Sequence, residues 1–333
     1  MLLHSISCWI FALACLCAAP PVPGEAWWIH TDGQKTIWKS TEGELVLAGR
    51  GGEIERVLPA PAGLTRNEAI SVEGRLHVLQ VVVVDETTLL RKVDPESGEI
   101  TPLAELQGRR HCYPVGYQDG LKVYCFVDFE TAELIVVTED TGVVTIALPH
   151  GRPGSADLIA STPHIIYSYF GGCTIFDFKE RKVVARWEAP DDLQAERIFT
   201  ASLPVVGITE SDGKTLEVHR LEFGDGGAPR LDRGLYRLAV SEPGVYREID
   251  DVLVAPDLLV VLIDETHANR TTTRVVAVDQ HGGREIFTAE GGFDFVSDVL
   301  PDGTIALAAR GSNVRGNWKY DPNTIRFIQT ARE

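Results

Sequence analysis

Short runs of aliphatic and β-branched residues, each followed by turn residues, recur along the whole chain. The clearest example is residues 89–106, LLRKVDPESGEITPLAEL, in which two such runs flank the tetrapeptide PESG. In a tight turn, proline presets the backbone angle and glycine accepts a conformation that a side chain would resist. This stretch therefore predicts a β-hairpin.

The same hairpin pattern occurs elsewhere in the chain. Similar stretches begin at Leu134, Thr174 and Arg274, and a weaker copy begins at Asn317. Each belongs to a unit of about 40–50 residues with four strand-like runs, which is a period typical of repeat architectures. Almost nowhere do apolar residues recur at helical spacing over the length of a helix. The pattern predicts an all-β repeat protein.

A repeat of this period with four strands per unit resembles the β-propeller superfamily, and the resemblance covers residues 27–333. The hairpins look like the outer hairpins of quinoprotein-like and lactonase-like propellers. The resemblance implies a single domain of seven four-stranded blades. Counts of six or eight stay open because the first and fifth units are irregular. Neighbouring blades would cover each other, since one four-stranded sheet cannot bury both of its faces alone.

The motifs that define particular propeller families are missing from the sequence. It has no Gly-His and Trp-Asp pairing of the WD kind, no recurring Gly-Gly of the kelch kind and no Ser-x-Asp-x-Gly-x-Thr-Trp box of the sialidase kind. The resemblance therefore implies a fold and no catalytic residue. It also leaves open whether the last blade is completed by residues 324–332 or by the strand that contains Trp27 and Trp28.

Residues 1–26 differ in composition from the rest of the chain. Positions 5–19 hold no charged residue, and prolines and small residues follow up to Ala26. An uncharged run of this length followed by small residues is typical of a signal peptide, and it is short for a membrane span. We therefore expect cleavage after Ala26, a secreted or periplasmic protein and no transmembrane span after signal removal. Lipid attachment at Cys15 is an alternative.

Three cysteines lie beyond residues 1–26. Cys112 and Cys125 flank a predicted hairpin with its turn at Asp119 and Gly120, which would place them on neighbouring strands. The two alternatives are a disulfide in an oxidising compartment and a pair of buried thiols in a sheet. Even with Cys173 included, the Cys-x-x-Cys spacing that is typical of zinc or redox sites does not occur among them.

The chain is acidic, with 31 Lys and Arg residues against 48 Asp and Glu residues and a formal net charge of −17 at pH 7. An excess of this size repels nucleic acid and anionic membrane surfaces. It is compatible with cationic ligands or metal ions, and also with a purely solubilising role. We expect a monomer whose partner is a protein or a small-molecule ligand and not a nucleic acid.

The resemblance also implies that the start of each inner strand lies at one mouth of a central channel. At those positions the sequence has Glu68, Arg110, His111, Asp157, Asp251 and Asp298. Carboxylates that face one another in a narrow mouth hold raised pKa values or bind a cation. Asp251, Asp298 and Glu68 are the predicted ligands of a divalent cation such as calcium, which prefers oxygen ligands. The alternative is a solvated acidic face.

Three functions are compatible with this pattern. The first is a ligand- or protein-binding module that acts through one channel mouth. The second is a metal-dependent lactonase or hydrolase, in which the ion polarises a carbonyl or activates a water. The third is a purely structural cell-surface repeat protein. The enzyme requires three or four side chains that converge on one ion, the binding module requires a concave patch, and the structural protein requires neither.

Overall fold

The computed structural model describes most of the chain after residue 24. The described residues are 25–138, 142–149, 153–159, 162–169, 172–188, 193–199, 205–210, 215–222, 230–239, 244–255, 258–279, 282–314 and 317–331. They form 28 β-strands and two short 3-10 turns, Asp119–Leu121 and Pro322–Thr324. The predicted all-β class is confirmed.

The first four blades are built from consecutive strands along the chain. Blade 1 contains β1 (Ala26–Thr31), β2 (Lys35–Ser40), β3 (Leu45–Gly49) and β4 (Ile54–Leu58). Blade 2 contains β5 (Leu64–Val72), β6 (Arg75–Val84), β7 (Thr87–Val93) and β8 (Ile100–Gln107). Blade 3 contains β9 (Cys112–Gln118), β10 (Val123–Asp128), β11 (Glu133–Thr138) and β12 (Gly142–Ala147). Blade 4 contains β13 (Ser155–Leu158), β14 (His164–Tyr169), β15 (Gly172–Asp177) and β16 (Lys182–Glu188).

The last three blades follow in the same order. Blade 5 contains β17 (Leu193–Phe199), β18 (Val205–Glu210), β19 (Thr215–Glu222) and β20 (Arg230–Ala239). Blade 6 contains β21 (Val245–Ala255), β22 (Leu258–His267), β23 (Arg270–Asp279) and β24 (Gly282–Glu290). Blade 7 contains β25 (Phe293–Phe295), β26 (Thr304–Val314), β27 (Asn317–Tyr320) and β28 (Arg326–Gln329).

In blades 1 to 6 each strand pairs antiparallel with the next, so that each of these blades is a four-stranded meander, and the sheet of blade 1 continues into blade 7. The third and fourth strands form the predicted hairpins. The hairpin at residues 89–106 is β7 and β8, and those that begin at Leu134, Thr174 and Arg274 are the corresponding pairs of blades 3, 4 and 6. These four sequence predictions are confirmed.

Blade 7 is built differently, and the hairpin predicted from Asn317 is wrong. Strands β27 and β28 both pair with β26, at opposite ends of it, so they are two parts of one interrupted third strand. The interruption is the turn Pro322–Thr324, where Asp321 accepts a hydrogen bond from the backbone N–H of Asn323. A proline at the first position of this turn cannot donate to a strand ladder, and the strand is broken there.

The two termini of the described chain meet at blade 7. Ala26 of β1 pairs with Tyr320 of β27, and the backbone N–H of Thr31 donates to the carbonyl of Val296 at 2.7 Å. At the other end, β28 completes the third strand of the blade. Both alternatives for the last blade are therefore realised in part, since the C-terminal strand lies within it and the first strand touches it.

The hydrophobic core lies between blades rather than within them. Ile37 of blade 1 packs with Val78 of blade 2, and further clusters join blades 2 and 3, 3 and 4, 5 and 6, and 6 and 7. A last cluster joins Trp38 of blade 1 to Ala306 of blade 7, which closes a ring of seven blades. Strands such as β10 are buried at every position because a neighbouring blade covers each face.

The cysteines of the described chain are free thiols, so of the two alternatives for Cys112 and Cys125 the structure shows the buried thiols and not the disulfide. Cys112 pairs with Asp128, which lies three positions from Cys125 on the next strand. An odd offset places the two side chains on opposite faces of the sheet. Cys112 packs towards blade 2 and Cys125 towards blade 4. Burial raises the pKa of both thiols to about 12.

The predicted signal peptide and Cys15 lie almost wholly outside the described residues, which begin at Glu25. They remain predictions. Within the part of the chain that the structure describes, no helix has the length and apolar character needed to cross a membrane.

Candidate functional site

A cavity of about 320 Å³ lies where the first strands of blades 6, 7, 1 and 2 come together. Because four different blades contribute their first strand, the first strand is the innermost one and the cavity belongs to the central channel. Its acidic and basic lining residues are His30, Glu68, Asp251 and Asp298. Its aromatic lining residues are Trp27, Trp28, Phe295 and Tyr320.

The structure brings together most of the acidic residues that the sequence indicated. Glu68, Asp251 and Asp298 come from blades 2, 6 and 7 and line this one cavity. Asp157 lies on the inner strand of blade 4, close enough to Glu68 for its charge to act on that carboxyl. Four side chains that are far apart in the sequence therefore share one channel. Their role in binding stays a prediction.

Glu68 lies in the middle of β5. Its side chain remains accessible to solvent within the channel, but the surrounding blades crowd around it and displace bulk water. This enclosure, together with the negative charges of Asp157 and Asp298, raises the pKa of Glu68 to about 8. Proximity of like charges and loss of bulk water both disfavour the ionised form of a carboxyl. Near neutral pH, Glu68 therefore retains its proton unless a positive charge enters the channel.

His30 lies on β1 at the same cavity. Burial lowers the pKa of His30, and the negative charges of Asp298 and Asp32 only partly oppose this effect. The imidazole is therefore neutral at pH 7. Apart from His30, the described residues of the lining include no basic side chain, so nothing positive among them offsets the carboxylates.

Arg110 and His111 do not line this cavity. The Nη1 atom of Arg110 lies 2.7 Å from the carboxylate of Glu133 and 3.8 Å from that of Asp128, both in blade 3. Its backbone N–H donates to Thr88. His111 is exposed just before β9. Arg110 was predicted at the channel mouth, but its side chain is engaged by acids of blade 3.

The spacing of the cavity carboxylates bears on the predicted calcium site. Glu68, Asp251 and Asp298 do not bring ligand atoms within 4.8 Å of one another. Among the residues that the structure describes, the group that meets this spacing is Glu248, Asp250 and Asp264 of blade 6. Two of its members already bind a cation from the protein itself, because Asp250 and Asp264 contact the guanidinium of Arg310.

Arg310 follows the apolar run in the first half of β26 and joins blades 6 and 7. Its side chain is only 9% exposed. It donates to Asp264 at 2.5 Å, to Asp294 at 2.7 Å and to Asp250. Burial disfavours its charge, but Asp294, Asp250 and Asp264 outweigh this effect and raise the pKa of Arg310 above its usual value. We call Arg310 and these three aspartates the Arg310 cluster.

Sequence reasoning missed Arg310, although a signal was present. In blades 3 and 6 the apolar run of the second strand leads to an aspartate, Asp128 or Asp264, whereas the apolar run of β26 leads to an arginine. A single basic residue at a position where other repeats place an acid predicts charge compensation between neighbouring blades. The repeat pattern by itself is therefore sufficient to suggest the pairing of Arg310 with Asp264.

A β-bulge separates the Arg310 cluster from the cavity. The pairing of β21 with β22 shifts between Ile249 and Asp251, so that Asp250 is the extra residue of the bulge. A bulge turns consecutive side chains in different directions. Asp250 therefore contacts Arg310, while the next residue, Asp251, lines the cavity.

Comparison with known proteins supports the fold. No protein-family model matches the chain, and no curated protein matches it. Among solved structures, the chain is similar to the WD40 repeats of RRP9, with 14% identity, a TM-score of 0.60 and coverage of 93% of this chain and 96% of that one. It is also similar to U3-55K, with 13% identity, a TM-score of 0.58 and coverage of 93% and 97%.

A third similar structure is the Cps50 (Swd1) β-propeller domain of Myceliophteria thermophila. The identity is 12% and the TM-score 0.59, and the alignment covers 90% of this chain and 96% of that domain. Similarity at such low identity carries information about the fold and not about the ligand. The likeness to WD40 repeats comes without the WD signature in the sequence. Together with the ring of seven blades, it shows that the chain has the β-propeller fold.

Proposed function

We propose that this β-propeller is a binding module and that its central cavity recognises a positively charged group on its ligand. One observation carries the proposal: Glu68, Asp251 and Asp298 share a cavity whose described lining contains no Lys or Arg. The WD40 propellers to which the chain is similar support the more general idea of a binding or scaffold module. The ligand can be a small molecule or a group on a protein.

The electrostatics of the cavity favour a cation. Walls of low dielectric focus the field of several like charges into a cleft and raise the local concentration of ions of opposite sign. The net charge of −17 adds attraction over a longer range. A bound cation would also lower the pKa of Glu68, which now lies at about 8 because like charges surround it.

The metal-dependent hydrolase is a weaker explanation of the same residues. Such an enzyme needs several oxygens that converge on one ion at bonding distance. Glu68, Asp251 and Asp298 share the cavity without reaching that spacing. A purely structural protein, for its part, would gain nothing from like charges held together in a channel. The binding module therefore accounts best for the arrangement.

Calorimetric titration tests the proposal. The protein is titrated with choline, calcium chloride and spermidine, and with glycerol as an uncharged control. We expect at least one cation to bind to the wild-type protein. The Glu68→Gln/Asp298→Asn variant should bind it about tenfold more weakly, which corresponds to a loss of about 1.4 kcal/mol of binding free energy. The matched control is Glu99→Gln, an exposed acid in the outer hairpin of blade 2. Equal affinity of the wild-type protein and the double variant would contradict the proposal.

We also propose that the protein is exported, which makes it either secreted or periplasmic. We further propose that it is a monomer and has no nucleic-acid partner. The uncharged run at positions 5–19 and the acidic net charge support this assignment. N-terminal sequencing of the exported protein should begin at Trp27. Retention of residues 1–26 in the folded protein would contradict it, and a lipid on Cys15 would show the alternative.

A further inference from the structure

The cavity combines carboxylates with aromatic side chains, and this combination narrows the class of ligand. We propose that the cavity takes a substituted ammonium group, a nitrogen cation that carries alkyl groups, rather than a bare metal ion. The inference rests on the proposed function, since it specifies which cation the same cavity binds.

The aromatic residues come from two adjacent blades. Trp27 and Trp28 lie on β1, Phe295 on β25 and Tyr320 on β27. The face of an aromatic ring attracts a cation through its quadrupole, and the attraction is strongest for large, weakly hydrated cations such as quaternary ammonium. A hydrated metal ion gains little from such walls, because its water shell keeps it away from them.

The spacing of the carboxylates points in the same direction. Calcium requires oxygen ligands at about 2.3–2.6 Å from its centre, so those oxygens lie close together. Glu68, Asp251 and Asp298 come from three blades and do not approach within 4.8 Å as a group. A substituted ammonium spreads its charge over the surrounding methyl or methylene groups. It can therefore interact with separated carboxylates at once, without losing a tight coordination shell.

The protein already pairs one of these aromatic rings with an ammonium of its own. The Nζ atom of Lys319 lies 5.2 Å from the centre of the Trp27 ring. An aromatic face thus already attracts an ammonium at the edge of the site. The interior of the cavity offers further aromatic rings, those of Trp28, Phe295 and Tyr320, and carboxylates beside them.

The size of the cavity fits a small group. Its volume of about 320 Å³ is at the lower end of the range of about 300–1,000 Å³ that is usual for ligand pockets. This volume admits a trimethylammonium head with a short chain. The head can belong to a free small molecule or to an alkylated lysine side chain of a protein, and the two sources present the same chemistry to the cavity.

Choline and 3,3-dimethylbutan-1-ol test the inference, because the two molecules have nearly the same shape and differ in charge. Calorimetry should give a choline affinity about tenfold or more above that of the alcohol and of calcium. Trp28→Leu and Phe295→Leu should each weaken choline binding about fivefold. Trp318→Leu is the matched control, since Trp318 is exposed and does not line the cavity. Melting curves confirm that each variant folds, and two separate aromatic variants guard against one that does not.

The outcomes separate the inference from the proposed function. If calcium or spermidine binds through Glu68 and Asp298 while choline does not, the inference is overturned and the cationic site stands. If choline and its uncharged analogue bind equally, the aromatic walls recognise shape alone and the inference is again overturned. If no cation binds, both proposals fall. A peptide with one trimethyllysine between glycines, compared with free choline, identifies which source the cavity prefers.

Discussion

Two groups of acidic residues lie side by side in this propeller, and they differ in what balances their charge. In the Arg310 cluster, three aspartates from blades 6 and 7 surround one buried guanidinium. In the channel cavity, Glu68, Asp251 and Asp298 share a space whose described lining has no Lys or Arg. Consecutive residues, Asp250 and Asp251, belong to different groups because a β-bulge separates them.

The two groups differ in how the protein stabilises their negative charge. A carboxylate with an internal partner holds blades together and is satisfied in the absence of any ligand. Like charges that share a cavity disfavour the ionised form of a carboxyl, as at Glu68, and such perturbed groups mark candidate binding sites. The cluster thus joins blades 6 and 7, and the cavity is the site of the binding that we propose.

The largest effect should come from removing the cation of the cluster. Arg310→Met leaves Asp250, Asp264 and Asp294 facing one another without their partner. Because loss of one member of a buried ion pair strands the other charges, we expect the free energy of unfolding to fall by about 3–5 kcal/mol. Chemical denaturation measures the change, and Arg109→Met at an exposed position is the control. A loss below about 1 kcal/mol would show that the cluster does not hold the ring.

A smaller effect is expected from the threonines that link successive blades. The hydroxyl of Thr273 contacts Asp264 at 2.6 Å and accepts from the backbone N–H of Phe293, and Thr88 accepts in the same way from Arg110 without any carboxylate partner. Thr273→Val should cost about 2–3 kcal/mol and Thr88→Val about 1 kcal/mol, because hydrogen bonds to charged groups are stronger. Both values come from urea unfolding. Equal costs would mean that Asp264 contributes nothing through Thr273.

An intermediate effect is expected on the pH dependence of stability, through Glu68 in the cavity. The pKa of Glu68 is about 8 in the folded protein against an ordinary value of 4.5. Between these values the unfolded chain loses the proton that the folded protein keeps, so Glu68 makes folding less favourable as the pH rises through this window. Glu68→Gln should therefore match the wild-type melting temperature below pH 4.5 and exceed it at pH 8. The control is Glu99→Gln. If the melting temperatures of wild type and Glu68→Gln change with pH in parallel, the raised pKa of Glu68 is contradicted.

The smallest effect concerns the buried thiols, which belong to neither group of acids. Because burial raises the pKa of Cys112 and Cys125 to about 12, both should resist alkylation in the folded protein at neutral pH. Peptide mapping by mass spectrometry after brief alkylation should find both residues unmodified. Full modification follows only after denaturation. A peptide pair linked through these cysteines would contradict the free thiols.

Repetition made the fold predictable from the sequence. Hairpins such as residues 89–106 and the one from Leu134 depend on local turn chemistry, so their positions could be given to within a few residues. The stretch from Asn317 failed because its proline-containing segment looks like a hairpin turn while the partner strand β26 runs past it on one side. Local sequence does not tell a turn that reverses the chain from one that interrupts a strand.

The candidate site was predictable in part. Glu68, Asp251 and Asp298 could be assigned to one channel because equivalent positions of a repeat fall at equivalent places in the ring. Which of Asp250 and Asp251 contacts Arg310 could not be assigned, since the two are distinguished only by a bulge. Arg110 was predicted at the mouth for the same positional reason, and its ion pair with Glu133 depends on a side-chain conformation that the sequence does not encode.

The most direct test of the comparison is anomalous diffraction from a crystal soaked in caesium chloride. Caesium is a large, weakly hydrated cation. It should therefore occupy a site where it can compensate carboxylates that lie beside aromatic rings. We predict an anomalous peak in the channel cavity near Glu68, Asp251 and Asp298, and none at the Arg310 cluster, where the guanidinium already takes the place of a cation. A peak at Glu248, Asp250 and Asp264 with an empty cavity would contradict the account.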